Sequence, residues 1–211
     1  MRGVSFDGIH SFNDWNIILN SVSVPPAEPK TNYVELPAGD GSIDLTEAIG
    51  EVRYNDRECE FVFTVFPFDN FEEKKRIISN AINGKKVKIV VDKDPDYYWT
   101  GRCSVNEYST DKAINQIVIG AVVSPYKYKH EKTVVTVPPG ENVSVLLPNS
   151  RRNVVPVIVT TEETKIVFNN GTYNMNAGTH KILDLQLKGA ETEFVVTSTG
   201  TTTFTYQEGD L

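Results

Sequence analysis

Only one stretch of this chain carries a helical period, and that confines the rest of its apolar content to strands. The stretch is NFEEKKRIISNAING, where Asn70 stands as an N-cap, Glu72 and Glu73 sit in the first turn, and Asn83-Gly84 supplies the stop. Phe71, Lys74, Ile78 and Ala81, with Ile77 beside them, form a narrow apolar stripe. So narrow a stripe needs another surface to cover it, and a sheet is the surface expected.

Elsewhere the apolar residues come in short runs broken by turn formers. Asp7-Gly8 separates Phe6 from Ile9, and Trp15 to Val24 is rich in β-branched and apolar residues. Pro25, Pro26 and Pro29 cannot donate ladder hydrogen bonds and mark an irregular connector. Tyr33 to Leu36 is strand-like, Gly39 to Ser42 a turn, and Glu60 to Phe66 a β-prone run with Phe61, Phe63 and Val65 on one face. After the helix, Lys85 to Val91 and Tyr97 to Val105 flank a turn at Asp92 to Asp96 and predict a hairpin. Ile114 to Val123 is apolar at both alternating sets of positions and predicts a strand covered on each side.

Pro125 and the alternating Tyr126, Lys127, Tyr128 and Lys129 mark a boundary, giving domains 1–128 and 129–211. The second carries about eight short β-prone segments divided at Pro138-Pro139-Gly140, Asn170-Gly171, Ala177-Gly178, Lys188-Gly189 and Thr199-Gly200. That pattern predicts an antiparallel β-sandwich, and the chain as a whole is expected to be mainly β with one α-helix.

Charge narrows the function. The 211 residues carry a net charge of −7, from 21 Lys and Arg against 28 Asp and Glu. From His130 onward the split is 6 against 9, leaving 15 against 19 before it, so neither half is basic. Nucleic-acid binding needs a concentrated cationic face to displace counterions from phosphate. A passive conduit for DNA is compatible with this balance. The N-terminus lacks a charged region followed by an apolar core, and the longest apolar runs are strand-length, so a soluble protein synthesised in a reducing cytoplasm is expected. Cys59 and Cys103 are far apart in sequence and are expected as free thiols.

No constellation points to catalysis or to a cofactor. Asp92, Asp94 and Asp96 alternate like the start of a calcium loop, but Tyr97 stands where that loop needs glycine and Cys103 where it needs a bidentate glutamate. A solvated turn is the reading adopted. His10, His130, His180 and the two cysteines include no close-spaced pair for zinc. Asp40 with Asp44 and Glu47 with Glu51 read as loop and cap carboxylates, and Gly39-Asp40-Gly41 lacks the Gly-Lys-Ser/Thr of a phosphate loop. The cluster Tyr97, Tyr98 and Trp99 is different: alternation places Tyr97 and Trp99 on one face and Tyr98 on the other, so all three cannot enter one core. These three are the candidate interface residues.

Four segments in order carry a resemblance: SFDGIHSFNDWNIIL at the start, LPAGDGSIDLTEAIGEVRYNDRECEFVFTV, GKKVKIVVDKDPDYYWTGRCSV after the helix, and RRNVVPVIVTTEETKIVF to FTYQEGDL at the end. Together they resemble the distal tail (Dit) proteins of siphoviruses infecting Gram-positive bacteria and of related prophages. Many members have an arginine after the glycine of the central turn, where this chain has Asp40 after Gly39. The resemblance implies a tail-tube-like N-terminal β domain whose copies form a hexameric ring around a channel, and a galectin-like C-terminal sandwich facing outward. It also implies a non-enzymatic virion adaptor joining the tail tube protein to the tail-associated hub protein and supporting a receptor-binding protein. DNA would only pass through, over a channel lined by more Asp and Glu than Lys and Arg. A galectin-like carbohydrate-binding protein and another tail-tube-like virion subunit are the alternatives.

Overall fold

The protein is described from a computed structural model covering residues 3–37, 39–48, 50–65, 70–110 and 114–211. It divides into two compact units, Met1–Lys127 and Tyr128–Leu211. Each has its own apolar core.

The first unit is built on an antiparallel sheet. Strands β1 (Val4–Phe6) and β2 (Ile9–His10) join through Asp7 and Gly8, whose φ values of 50° and 86° suit the right-handed strand twist. Strand β3 (Ile17–Ser23) follows, then a small separate ribbon of β4 (Tyr33–Glu35) and β5 (Ser42–Asp44). The sheet continues with β6 (Arg57–Val65), helix α1 (Phe71–Ile82), β7 (Lys86–Val91), β8 (Tyr97–Thr110) and β9 (Ile114–Val123). Its strand order is β2-β1-β7-β8-β9-β6-β3. Phe66, the last residue of the expected β6 run, lies outside the described residues.

Register decides which residues share a face. Phe61 pairs with Ile119, Phe63 with Ile117, and Cys59 with Ala121, which also pairs with Cys103, so the odd-numbered side chains of β6, β8 and β9 build one buried layer. Phe6 makes aromatic contacts with Trp15, Phe61 and Phe63 at centroid distances of 5.8, 5.7 and 6.4 Å. The even-numbered face is open: Val122 is 50% exposed while Val118 is buried. Among the described residues strand β9 is therefore covered unevenly on its second face, buried at Val118 and exposed at Val122.

Helix α1 begins as its sequence dictates, with the Asn70 side chain accepting from the Glu73 N–H at 3.3 Å. At its far end the Lys85 ammonium donates to the carbonyls of Asn80 and Ala81 at 2.8 and 2.9 Å, satisfying acceptors the helix leaves open. The buried positions are Ile78 and Ile82, with Phe71 and Ala81 partly covered. Ile77 is 46% exposed, so the stripe turns towards Ile82 rather than Ile77. One residue is 100° of helix rotation, enough to carry Ile77 out of the contact.

In the second unit, eight strands form two four-stranded antiparallel sheets, the β-sandwich that the turn spacing predicts. After β10 (Lys127–Lys129), the strands are β11 (Thr133–Val137), β12 (Gly140–Pro148), β13 (Val157–Thr160), β14 (Thr164–Phe168), β15 (Gly171–Met175), β16 (Gly178–His180), β17 (Glu191–Ser198), β18 (Thr202–Tyr206) and β19 (Gly209–Asp210). One sheet runs β11-β18-β13-β16 and the other β12-β17-β14-β15. Phe194 of β17 lies between Phe168 and Phe204, with centroids at 4.7 and 5.7 Å, and joins the two sheets. The β14–β15 turn sits one residue earlier than expected. Asn169 and Asn170 hold φ of 46° and 63°, and Gly171 already pairs with Phe168. Asparagine tolerates that left-handed geometry, so the glycine is released to start the strand.

Candidate assembly interface

Two regions of the first unit present unusual surface: the start of β8 and the β4–β5 ribbon. Chain alternation at β8 sends Trp99 inward, where it is 8% exposed and part of the core. Trp99 therefore leaves the interface set; its ring is used up by packing opposite Ile89. Tyr97 and Tyr98 stay half-buried and take up cations from different sides. The Lys127 ammonium stands 4.4 Å from the Tyr97 ring centre, and that of Lys88 stands 4.8 Å from Tyr98. Each such contact contributes about 0.5–1 kcal/mol when exposed.

The neighbouring turn is tied down rather than open for a cation. The Asp92 carboxylate accepts from the Gly3 N–H at 2.6 Å and faces His10 Nε2 at 3.2 Å, while Asp94 pairs with Lys127 at 2.6 Å. His10 Nδ1 accepts the N–H groups of Phe12 and Asn13, which leaves Nε2 to carry the proton towards Asp92. The carboxylates thus point to separate partners. Among the described residues no group of three or more His, Cys, Asp or Glu side chains is placed to hold a metal.

The cysteines are free and buried. They flank Ala121 from strands on either side of β9, two strand spacings apart, which is about 9–10 Å and beyond disulfide reach. Burial pushes the Cys59 thiol up to about 11 and the Cys103 thiol up to about 12, so neither supplies a thiolate near neutrality.

Strands β4 and β5 pair only as a two-stranded ribbon, with Val34 opposite Ile43 and Tyr33 opposite Asp44. Its base is closed by the Lys30 N–H to Arg53 O bond at 2.7 Å and the Asn55 N–H to Glu28 O bond at 2.9 Å. Every described residue from 28 to 45 is exposed. Register puts Val34 and Ile43 on one face, at 43% and 46% exposure, and Leu36 and Leu45, the residues just past the two strands, are 45% and 38% exposed. Tyr33, Glu35, Ser42 and Asp44 occupy the other. An isolated hairpin is marginal in water, and one with an uncovered apolar face has surface suited to a partner. Sequence reading recognised Tyr33 to Leu36 as a strand but missed this face. Its signal was the Val34/Leu36 and Ile43/Leu45 alternation about one turn.

The open side of the main sheet has a concavity of about 600 Å³, lined by Asp56, Lys86, Thr100, Arg102, Ser104 and Val122 among others. Arg102 and Val122 are direct cross-strand neighbours, and Lys86 lies beside Arg102. The Arg102 guanidinium is steadied by donating to the Gly84 carbonyl. Gly101 at the floor cannot carry a side chain, since a Cβ would stand 2.6 Å from the Val122 carbonyl oxygen.

No family model matches the chain, and no curated protein matches it. Among solved structures it is similar to the SPP1 Dit (gp 19.1) protein, described as a paradigm of the hub adsorption apparatus in phages infecting Gram-positive bacteria. Sequence identity is 16%, the TM-score is 0.69, and the match covers 100% of each chain. The two-unit β architecture of this protein is thus the fold of a Dit protein.

Proposed function

We propose that the chain is a structural, non-catalytic adaptor of a phage tail tip. Copies of the first unit form a hexameric ring joining the tail tube to the baseplate hub, and the second unit, a galectin-like sandwich, supports receptor-binding proteins. The single observation carrying this reading is the fold match, which runs the full length of both chains and so includes both units together. Residue chemistry is in keeping with it. The thiols are buried with raised pKa values, and Asp92 and Asp94 serve as structural anchors rather than as reacting groups. The net charge of −7 suits a conduit through which DNA slides without adhering. In this reading the protein is made in the host cytoplasm and resides in the virion.

Light scattering after size exclusion, with negative-stain images over a wide concentration range, tests the proposal. A six-fold ring with an open channel is expected. A monomer at every concentration would overturn ring formation by this chain alone.

A further inference from the structure

We propose that Asp40 is a site of spontaneous covalent change, isomerising through Gly41 to isoaspartate in the folded protein. The Gly41 nitrogen attacks Asp40 Cγ, and the carboxyl OH leaves with the amide proton as water, closing a succinimide. Water then reopens the ring at the carbonyl that had belonged to the main chain. The chain now runs through Cβ and Cγ, and the carboxylate stays on Cα. One water is released and one consumed, and no other reactant enters.

Four dipeptides of the chain have the small following residue this reaction favours: Asp7-Gly8, Asp40-Gly41, Asn83-Gly84 and Asn170-Gly171. An asparagine follows the same route with loss of ammonia. The fold ties down three of them. The Asp7 carboxylate accepts the Lys88 N–H at 2.7 Å, which holds it away from Gly8. Asn83 Oδ1 accepts the Val105 N–H at 3.0 Å, and the Gly84 N–H, the nucleophile there, donates to the Cys103 carbonyl at 2.8 Å. Gly171 pairs with Phe168 to close its tight hairpin, so its nitrogen belongs to the ladder. At the fourth, among the described residues, neither the Asp40 carboxyl nor the Gly41 N–H has a hydrogen-bond partner. Both residues are exposed, Gly41 holds φ of 75°, and the place a Cβ would take there has no atom within 4 Å. Carboxyl and nitrogen are free to meet, with no side chain at Gly41 to obstruct the ring. The product carries one extra backbone atom between β4 and β5, close to the Glu35–Ser42 pair that ends the ribbon ladder. Net charge is unchanged, so the modification acts on the length of the turn.

The full chain is incubated at neutral pH in water enriched in heavy oxygen, folded and in denaturant, then digested and mapped by mass spectrometry. Each passage through the succinimide installs one solvent oxygen, and an isoaspartyl carboxyl methyltransferase with labelled S-adenosylmethionine scores the product. Dividing the folded rate by the denatured rate at each site cancels the faster intrinsic chemistry of asparagine. Asp40 is expected to keep its denatured rate when folded, while Asp7, Asn83 and Asn170 slow by about tenfold or more, the factor that one retained hydrogen bond is worth. Asp40→Glu, whose longer side chain cannot close the five-membered ring, should remove the methyl-accepting peptide from folded protein and leave thermal unfolding unchanged. An Asp40 slowed in the folded chain as much as the other three overturns the proposal. Methyl acceptance of folded protein that survives Asp40→Glu overturns it as well.

Discussion

Replacing Phe194 by alanine tests whether the two units are energetically separate. Its side chain is fully buried, stacked on Phe204 and tilted against Phe168. Large-to-small changes at such a site cost about 3–5 kcal/mol, the transfer of the ring plus the cavity left behind. A unit of about 80 residues has roughly 4–12 kcal/mol of stability in total, so the change removes a large share of it. At about 4–8 °C per kcal/mol for a domain this size, the midpoint of that unit should fall by at least about 12 °C. Both tryptophans, Trp15 and Trp99, lie in the core of the first unit, so their fluorescence reports that unit alone. Circular dichroism reports strands of both. Phe194→Ala should split the dichroism transition, with an early phase from the sandwich, while the fluorescence midpoint holds. A fluorescence midpoint that drops together with the dichroism would refute the separation and show one cooperative fold.

Three further outcomes are expected. Burial alone would raise the Glu208 carboxyl, but hydrogen bonds from Lys129, Thr133 and Ser150 outweigh it and hold the carboxyl below its ordinary 4.5. A depressed folded pKa contributes stability that is complete above the unfolded value and lost as pH falls through the folded one, so wild type should lose sandwich stability below about pH 4.5, and Glu208→Gln should flatten that slope in acid titrations followed by dichroism. Arg57, 6% exposed, donates to the carbonyls of Pro25 and Pro125. Arg57→Met leaves both acceptors without that donor and should cost about 1–3 kcal/mol in denaturant titrations read by tryptophan fluorescence; an unchanged midpoint would remove it as an anchor. Cys59 and Cys103 should resist a thiol-specific chromogenic reagent at neutral pH until denaturant unfolds the first unit, and rapid labelling of native protein would contradict their burial.

What the sequence determined by itself is what neighbouring residues decide among themselves. The Asn70 cap, the acidic first turn of α1, the Asp7-Gly8 hairpin and the alternation of Phe61, Phe63 and Val65 all follow from periods and turn chemistry spanning a few positions. The tertiary structure decided which faces find cover. It drew Ile82 inward and left Ile77 out, took Trp99 for the core, opened one side of β9 at Val122, and left the β4–β5 ribbon two-stranded among the described residues. It also brought Lys129, Thr133 and Ser150 around Glu208. A local pattern states that a face is apolar or that a carboxylate exists, but whether it is covered or paired depends on elements distant in the chain. The candidate interface follows the same division: Tyr97 and Tyr98 were visible as alternating aromatics, whereas the apolar residues of the β4–β5 ribbon became a site only because they stay exposed among the described residues.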